Sequence, residues 1–136
     1  KNELISQATQ LKINHKVKFL GFVSDIPELL KKVDIFLMPS LWEGFGLAAI
    51  EAMNASLPCI VANVPGLGDL IKEDGDDAFL VAPSNKNIIA QRLDQLIENK
   101  ELRYKMGKKA FIQSLNFGID TMIKNYIELY KEVYHE

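Results

Sequence analysis

Two glutamates, Glu43 and Glu51, stand eight positions apart on either side of the turn Gly44-Phe45-Gly46. A carboxylate accepts hydrogen bonds from hydroxyls, and a vicinal diol such as a ribose 2′,3′ pair offers it two donors at once. The run Leu47-Ala48-Ala49-Ile50-Glu51-Ala52-Met53 reads as a helix that is apolar on almost every side, so Glu51 is expected to be shielded from water and in need of donors. Gly44 and Gly46 have no Cβ, which lets a backbone approach a ligand closely. A helix opening at Gly46 turns free N–H groups and a partial positive charge toward an anion. The arrangement suits one extended ligand, with a ribose at Glu51, a diphosphate at Gly46 and Leu47, and a hexose at Glu43 and Phe45.

The elements that must hold these residues are short apolar runs alternating with segments of helical period, the pattern of an α/β layer with a mostly parallel sheet and helices on both faces. Strands are expected at Val17–Leu20, Asp34–Met38, Cys59–Ala62 and Phe79–Val81, each followed by a turn signal such as Gly21 or Pro39-Ser40. Helices are expected at Ile26–Lys32, capped by Ser24 or Asp25, then at Gly46–Ala55 and, briefly, at Gly66–Lys72. After Pro83 the chain turns helical: from a cap at Ser84 or Asn85 to Glu98, from Lys100 to about Asn116, and from Asp120 to Tyr134. The last segment carries Ile123, Tyr126, Ile127 and Tyr130 on one stripe.

The chain has 136 residues, 48% of them hydrophobic, enough for one domain with a core that needs no staples. A single cysteine, Cys59, excludes an internal disulfide framework and a four-thiolate zinc site, and reads as a core thiol. The net charge of −2 argues against a bulk electrostatic grip on nucleic acid. No apolar run is long enough to span a bilayer and the N-terminus lacks the look of a secretory signal, so the expectation is a cytoplasmic protein with at most peripheral membrane contact. His15 and His135 have no metal-spaced partners and are expected in solvent, as are Lys105, Lys108 and Lys109. Trp42 fits either a donor-flanking ring or an ordinary half-buried indole. The run Gly44 to Ala49 also matches a dinucleotide fingerprint, but Ser40 to Glu43 separate it from the strand end, which weighs against a nicotinamide enzyme.

The pattern formed by Pro39, Ser40, Glu43 to Leu47 and Glu51 to Met53 resembles the E-x7-E signature of retaining glycosyltransferases of family 4. The resemblance extends upstream through FLGFVSDIPELLKKVDIFLMPS and downstream through ENKELRYKMGKKA. It implies the C-terminal, Rossmann-like donor-binding half of a GT-B fold, over a single domain at residues 1–136 that is truncated at its N-terminus. It implies transfer of a sugar from a nucleotide-sugar, UDP-sugar by default, in glycan or polysaccharide synthesis, with no cofactor and no metal. By the same resemblance Glu43 is the catalytic residue near the donor sugar and Glu51 holds the ribose. Gly44, Phe45, Gly46 and Leu47 hold sugar and phosphate, Val23 meets the nucleobase through its backbone, and Pro39 and Ser40 form the floor. Ser56 stands where the family commonly has glycine, and Pro65-Gly66-Leu67-Gly68-Asp69 departs from a Gly-Gly-x-Pro-Glu run.

The family's basic Arg and Lys pair, two strands and acceptor-binding domain have no counterpart here. The expectation is therefore a fragment with little activity alone, completed by an N-terminal domain or a partner chain. Its final helix, which in the family packs toward the N-terminal domain, would be uncovered and free to self-associate. A non-catalytic nucleotide-sugar-binding or interaction module working through a partner chain is the alternative.

Overall fold

The computed structural model describes residues 1–134. Three parallel strands, β1 (Phe36–Met38), β2 (Cys59–Ala62) and β3 (Phe79–Val81), form one sheet in the order β1-β2-β3, with Phe36 opposite Cys59 and Ile60 opposite Phe79. Around it run α1 (Asn2–Gln10), α2 (Ile26–Leu30), α3 (Leu47–Asn54), α4 (Lys86–Glu98), α5 (Lys100–Ser114) and α6 (Ile119–Tyr134). This is the Rossmann-like α/β architecture that the alternating pattern implies.

Strand pleating divides the core in two. Phe36, Met38, Cys59, Val61 and Leu80 face a cluster with Ala49, Ala52 and Met53 of α3. Ile60, Phe79 and Val81 face the other way, against Leu96 of α4 and Met106 of α5. Every residue of β2 is fully buried, as a central parallel strand covered on both faces requires. Burial in this apolar layer pushes the Cys59 thiol up to about 12.

Three helices start on an Asx cap. Asp25 accepts from the Glu28 N–H at 2.9 Å, Asn85 from Ile88 at 3.1 Å and Asn99 from Leu102 at 2.9 Å. Asp25 and Asn85, and not Ser24 or Ser84, are thus the caps, because a side-chain oxygen must sit three residues ahead of the donor. The buried Asp77 accepts from the N–H groups of Lys72 and Glu73 at 2.9 and 3.2 Å and fixes the loop into β3.

Several expectations change. Val17 is extended, but Val17–Leu20 belongs to no strand, and all four residues are exposed. An apolar β-branched run suffices for the pattern, but a strand also needs a neighbour to bond to, and among the described residues none lies beside it. Gly66–Lys72 shortens to a single 3-10 turn at Gly68–Leu70, because Gly66 is left-handed at φ +85° and its N–H is tied to the Asp69 carboxylate at 3.1 Å. The stripe on α6 is exposed along its length, from Ile119 at 68% to Tyr134 at 84%. Trp42 is 80% exposed and is not a half-buried indole. Lys105 and Lys109 face solvent as expected, Lys105 meeting Glu101 at 2.9 Å and Lys109 pairing with Asp76, which holds its ammonium above the ordinary lysine range. His15 is exposed as expected; His135 lies outside the described residues.

Ser56 follows the Ala55 cap of α3 at φ +59°, the left-handed position that glycine fills most easily. Ser56→Gly is expected to stabilise the chain by about 0.5–1 kcal/mol, since relief of the left-handed strain exceeds the added flexibility of the unfolded chain. Urea denaturation followed by circular dichroism measures it; a lower midpoint would contradict it.

Candidate functional site

β1 ends at Met38, and residues 39–46 carry the chain over the sheet edge into α3. Gly46 is the N-cap of α3 and is left-handed at φ +82°. Its missing Cβ makes room for Leu67 and Leu70: a Cβ there would stand 2.6 Å from Leu67 Cδ2 and 3.2 Å from Leu70 Cδ1. The backbone of Gly66 lies against the carbonyls of Glu43 and Gly44 in the same way, a Cβ falling 2.8 and 2.7 Å from them. The Pro65-to-Asp69 run therefore braces the turn from below. Close approach at Gly46 is made to the chain's own leucines, whereas Gly44 is exposed with nothing near its Cβ position. The open side of the turn is the Gly44 side.

Above that brace the helix start carries free donors. Ala49 and Ile50 return hydrogen bonds to the Gly46 carbonyl at 2.8 and 3.2 Å. Among the described residues, the N–H groups of Phe45, Gly46, Leu47 and Ala48 have no acceptor. Glu43 is half-buried and its Oε1 accepts from the Gly44 N–H at 3.2 Å, so its carboxylate is tethered at the mouth of the turn. Leu47 is 67% exposed, and Phe45 rests edge-on against Phe117 with ring centroids 6.1 Å apart.

Glu51 differs from its sequence expectation. The buried face of α3 is Ala49, Ala52 and Met53, and Glu51 is exposed. Although the helix is apolar by composition, only the face toward β2 and α5 is covered, and Glu51 points away from it. Among the described residues it has no ion-pair partner. Glu51 borders a cavity of about 520 Å³ between α2, α3 and the end of α5, walled by Ile26, Pro27, Ile50, Asn54 and Phe117.

The structure thus brings together two adjoining features, the turn with Glu43 and the cavity with Glu51. They are joined by α3 and by the Phe45–Phe117 contact. Val23 is half-buried in the loop just before Ile26; Pro39 is exposed and Ser40 half-buried at the strand end. None of the three lines the cavity. Sequence reasoning did not single out Asn54, Ser114 or Phe117. Asn54 was accessible to it, three residues after Glu51 and so on the same helical face. Ser114 and Phe117 reach the site only through tertiary packing.

A three-stranded parallel sheet with helices on both faces, and a helix opening just beyond the carboxyl end of β1, is the Rossmann-like class of α/β domain, in which ligands commonly bind at that end of the sheet. Residues 1–113 match the family of glycosyl transferases group 1, and the chain belongs to that family. It is 34% identical over 123 residues to the Escherichia coli UDP-Gal:alpha-D-GlcNAc-diphosphoundecaprenol alpha-1,3-galactosyltransferase, covering 90% of this chain and 31% of that one. Among solved structures it is similar to Anabaena Alr3699/HepE in complex with UDP, with a TM-score of 0.90 and 31% identity over 96% of this chain and 36% of that one. It is also similar to the C-terminal domain of the glycosyl transferase group 1 family protein LpcC from Francisella tularensis, with a TM-score of 0.78 and 31% identity over 87% of this chain and 62% of that one. The chain spans about a third of the length of the curated relatives it matches. Among the described residues no helix is long and apolar enough to cross a membrane.

Proposed function

We propose that this chain is the donor-binding domain of a retaining glycosyltransferase of family 4, with the E-x7-E signature at Glu43 and Glu51. The observation that carries the reading is the exposed Glu51 carboxylate on α3, set beyond a left-handed Gly46 whose neighbouring N–H groups are unpaired. Glu51 accepts the ribose hydroxyls. The diphosphate rests on the N–H groups of Phe45, Gly46 and Leu47, where the helix dipole and unpaired donors favour the growing negative charge of the leaving group. Glu43, next to the open Gly44, contacts the donor sugar near the reacting carbon. The Val23 backbone meets the nucleobase, and Pro39 and Ser40 form the floor.

The charge of the diphosphate is met by amide donors, and the reading assigns no role to a metal or cofactor. The similarity to a solved UDP complex and to a UDP-galactose-dependent enzyme supports UDP-sugar as the donor. The acceptor site belongs to the remainder of a longer enzyme or to a partner chain. The reading places this work on the cytoplasmic face of a membrane, in glycan or polysaccharide synthesis; the E. coli relative's diphosphoundecaprenol-linked acceptor supports the membrane.

Calorimetric titration with UDP, GDP and their sugars tests this. UDP and a UDP-sugar are expected to bind, with and without a chelator. Glu43→Ala is expected to leave UDP affinity within about twofold while removing the extra affinity contributed by the attached sugar, a matter of one or two hydrogen bonds. Absence of binding by every nucleotide would overturn the assignment. Sugar transfer by the 136-residue chain alone at about one turnover per second or more would overturn the division of labour with another domain or chain.

A further inference from the structure

Resting on the donor reading above, we propose that Phe117, remote from the turn in sequence, is a positioning residue for the diphosphate: through the ring of Phe45 it holds the amides at the start of α3 in the orientation that receives the anion. The need for it lies in how the turn is braced. Gly66 lies against the carbonyls of Glu43 and Gly44, and Leu67 and Leu70 fill the space beside Gly46. Phe45 falls between these two braced points. Among the described residues neither its N–H nor its carbonyl bonds to other backbone, yet its φ and ψ set the two peptide planes that carry the N–H groups of Phe45 and Gly46. Its side chain steadies it instead. Phe45 is 50% exposed, and its ring meets that of Phe117 edge to face, with 6.1 Å between centroids and 78° between planes.

Phe117 is itself anchored. It is half-buried at the end of the 3-10 turn Leu115–Phe117 and packs against the cluster that contains Ala49, Ala52 and Met53. The Leu115 carbonyl accepts from the Gly118 N–H at 3.4 Å and from the Thr121 hydroxyl at 3.3 Å, which ties this turn to the start of α6. Just upstream, Gln113 Nε2 donates to the Leu70 carbonyl at 3.0 Å, and Leu70, 1% exposed, is one of the two leucines beside Gly46. The end of α5 thus reaches the donor turn twice, at Phe45 through Phe117 and at Gly46 through Leu70. A ligand that fits one arrangement of a loop gains from any contact that keeps the loop there beforehand. Its apparent affinity falls in proportion as that arrangement is depopulated, and an aromatic pair of this geometry shifts such a balance about two- to tenfold.

The test is a double-mutant cycle between Phe45→Ala and Phe117→Leu, read by calorimetric titration of the chain with UDP beside a thermal melt of each variant. Both substitutions remove the ring contact and leave every amide donor in place, and leucine keeps apolar bulk against the cluster so that the fold survives. Each single variant is expected to weaken UDP about fivefold. The double variant is expected to bind within about twofold of either single one, because the second substitution finds no contact left to remove. Phe117→Tyr, which keeps the ring, is expected to bind UDP within about twofold of the wild type. A merely structural role for Phe117 predicts losses that multiply in the double variant, and that result would overturn the inference. Unchanged UDP affinity in Phe117→Leu would overturn it too, as would a Phe117→Tyr variant no better than Phe117→Leu; in each case UDP binding that still depends on Glu51 leaves the donor reading standing. No UDP binding by the wild type overturns that reading and this inference together.

Discussion

Gly107→Ala is expected to cost about 3 kcal/mol of stability or to prevent folding altogether. Gly107 lies in the middle of α5, and a Cβ there would stand 2.1 Å from the Ser56 carbonyl oxygen and 3.0 Å from its carbon. Both obstacles are backbone, so no side-chain rotation relieves the overlap. Replacing a mid-helix glycine by alanine ordinarily gains up to about 1 kcal/mol in helix propensity, which the clash exceeds. The neighbouring residues anchor the same junction: Met106 is 1% exposed, and the Arg103 guanidinium donates to the carbonyls of Leu96 and Ile97 at the end of α4. The run from Glu101 to Gly107 thereby clamps α5 to α4 on one side and to the α3–β2 turn on the other. Urea denaturation measures the effect, with Gly44→Ala as the control, since nothing lies near its Cβ position. A midpoint for Gly107→Ala equal to the wild type would contradict this packing.

Glu51→Ala is expected to lower UDP affinity by about tenfold, the equivalent of about 1.4 kcal/mol. Hydrogen bonds to a charged group contribute about 1.5–3 kcal/mol, and the exposure of Glu51 places it toward the weak end of that range. The loss will not come from unfolding. Among the described residues Glu51 has no ion-pair partner and its side chain is on the open face of α3, where substitutions change stability by about 0.5 kcal/mol or less. Calorimetry beside a thermal melt separates the two effects. Unchanged UDP affinity would count against the ribose assignment.

Much of the framework was legible in the sequence because its signals are local. β2 and β3 fall where their apolar runs end in turn residues, and α4 and α6 fall within a residue or two of their caps and periodicity. The pair of glutamates around a glycine turn was equally legible, as was the helix that the turn opens. What escaped was decided by neighbours in space. Val17–Leu20 has a strand's composition without a strand beside it. The 3-10 turn at Gly68–Leu70 is short because Asp69 ties back to Gly66.

The same distinction governs the site. The sequence suggests room for a ligand at Gly46, and the room is taken by Leu67. Composition suggests a shielded Glu51 because it counts neighbours along the helix, whereas exposure depends on which face is covered. The cavity beside it is assembled from α2, α3 and the end of α5, and no spacing within the sequence announces it. The stripe on α6 has the period of a packed face, yet it is exposed among the described residues; periodicity specifies a face and says nothing of its partner.

A crystal structure of the chain bound to UDP tests the central claim most directly. The account predicts ribose hydroxyls within hydrogen-bonding distance of the Glu51 carboxylate and the β-phosphate on the amides at the start of α3. UDP bound with its ribose turned away from Glu51, or with its phosphates remote from Gly46, would contradict it.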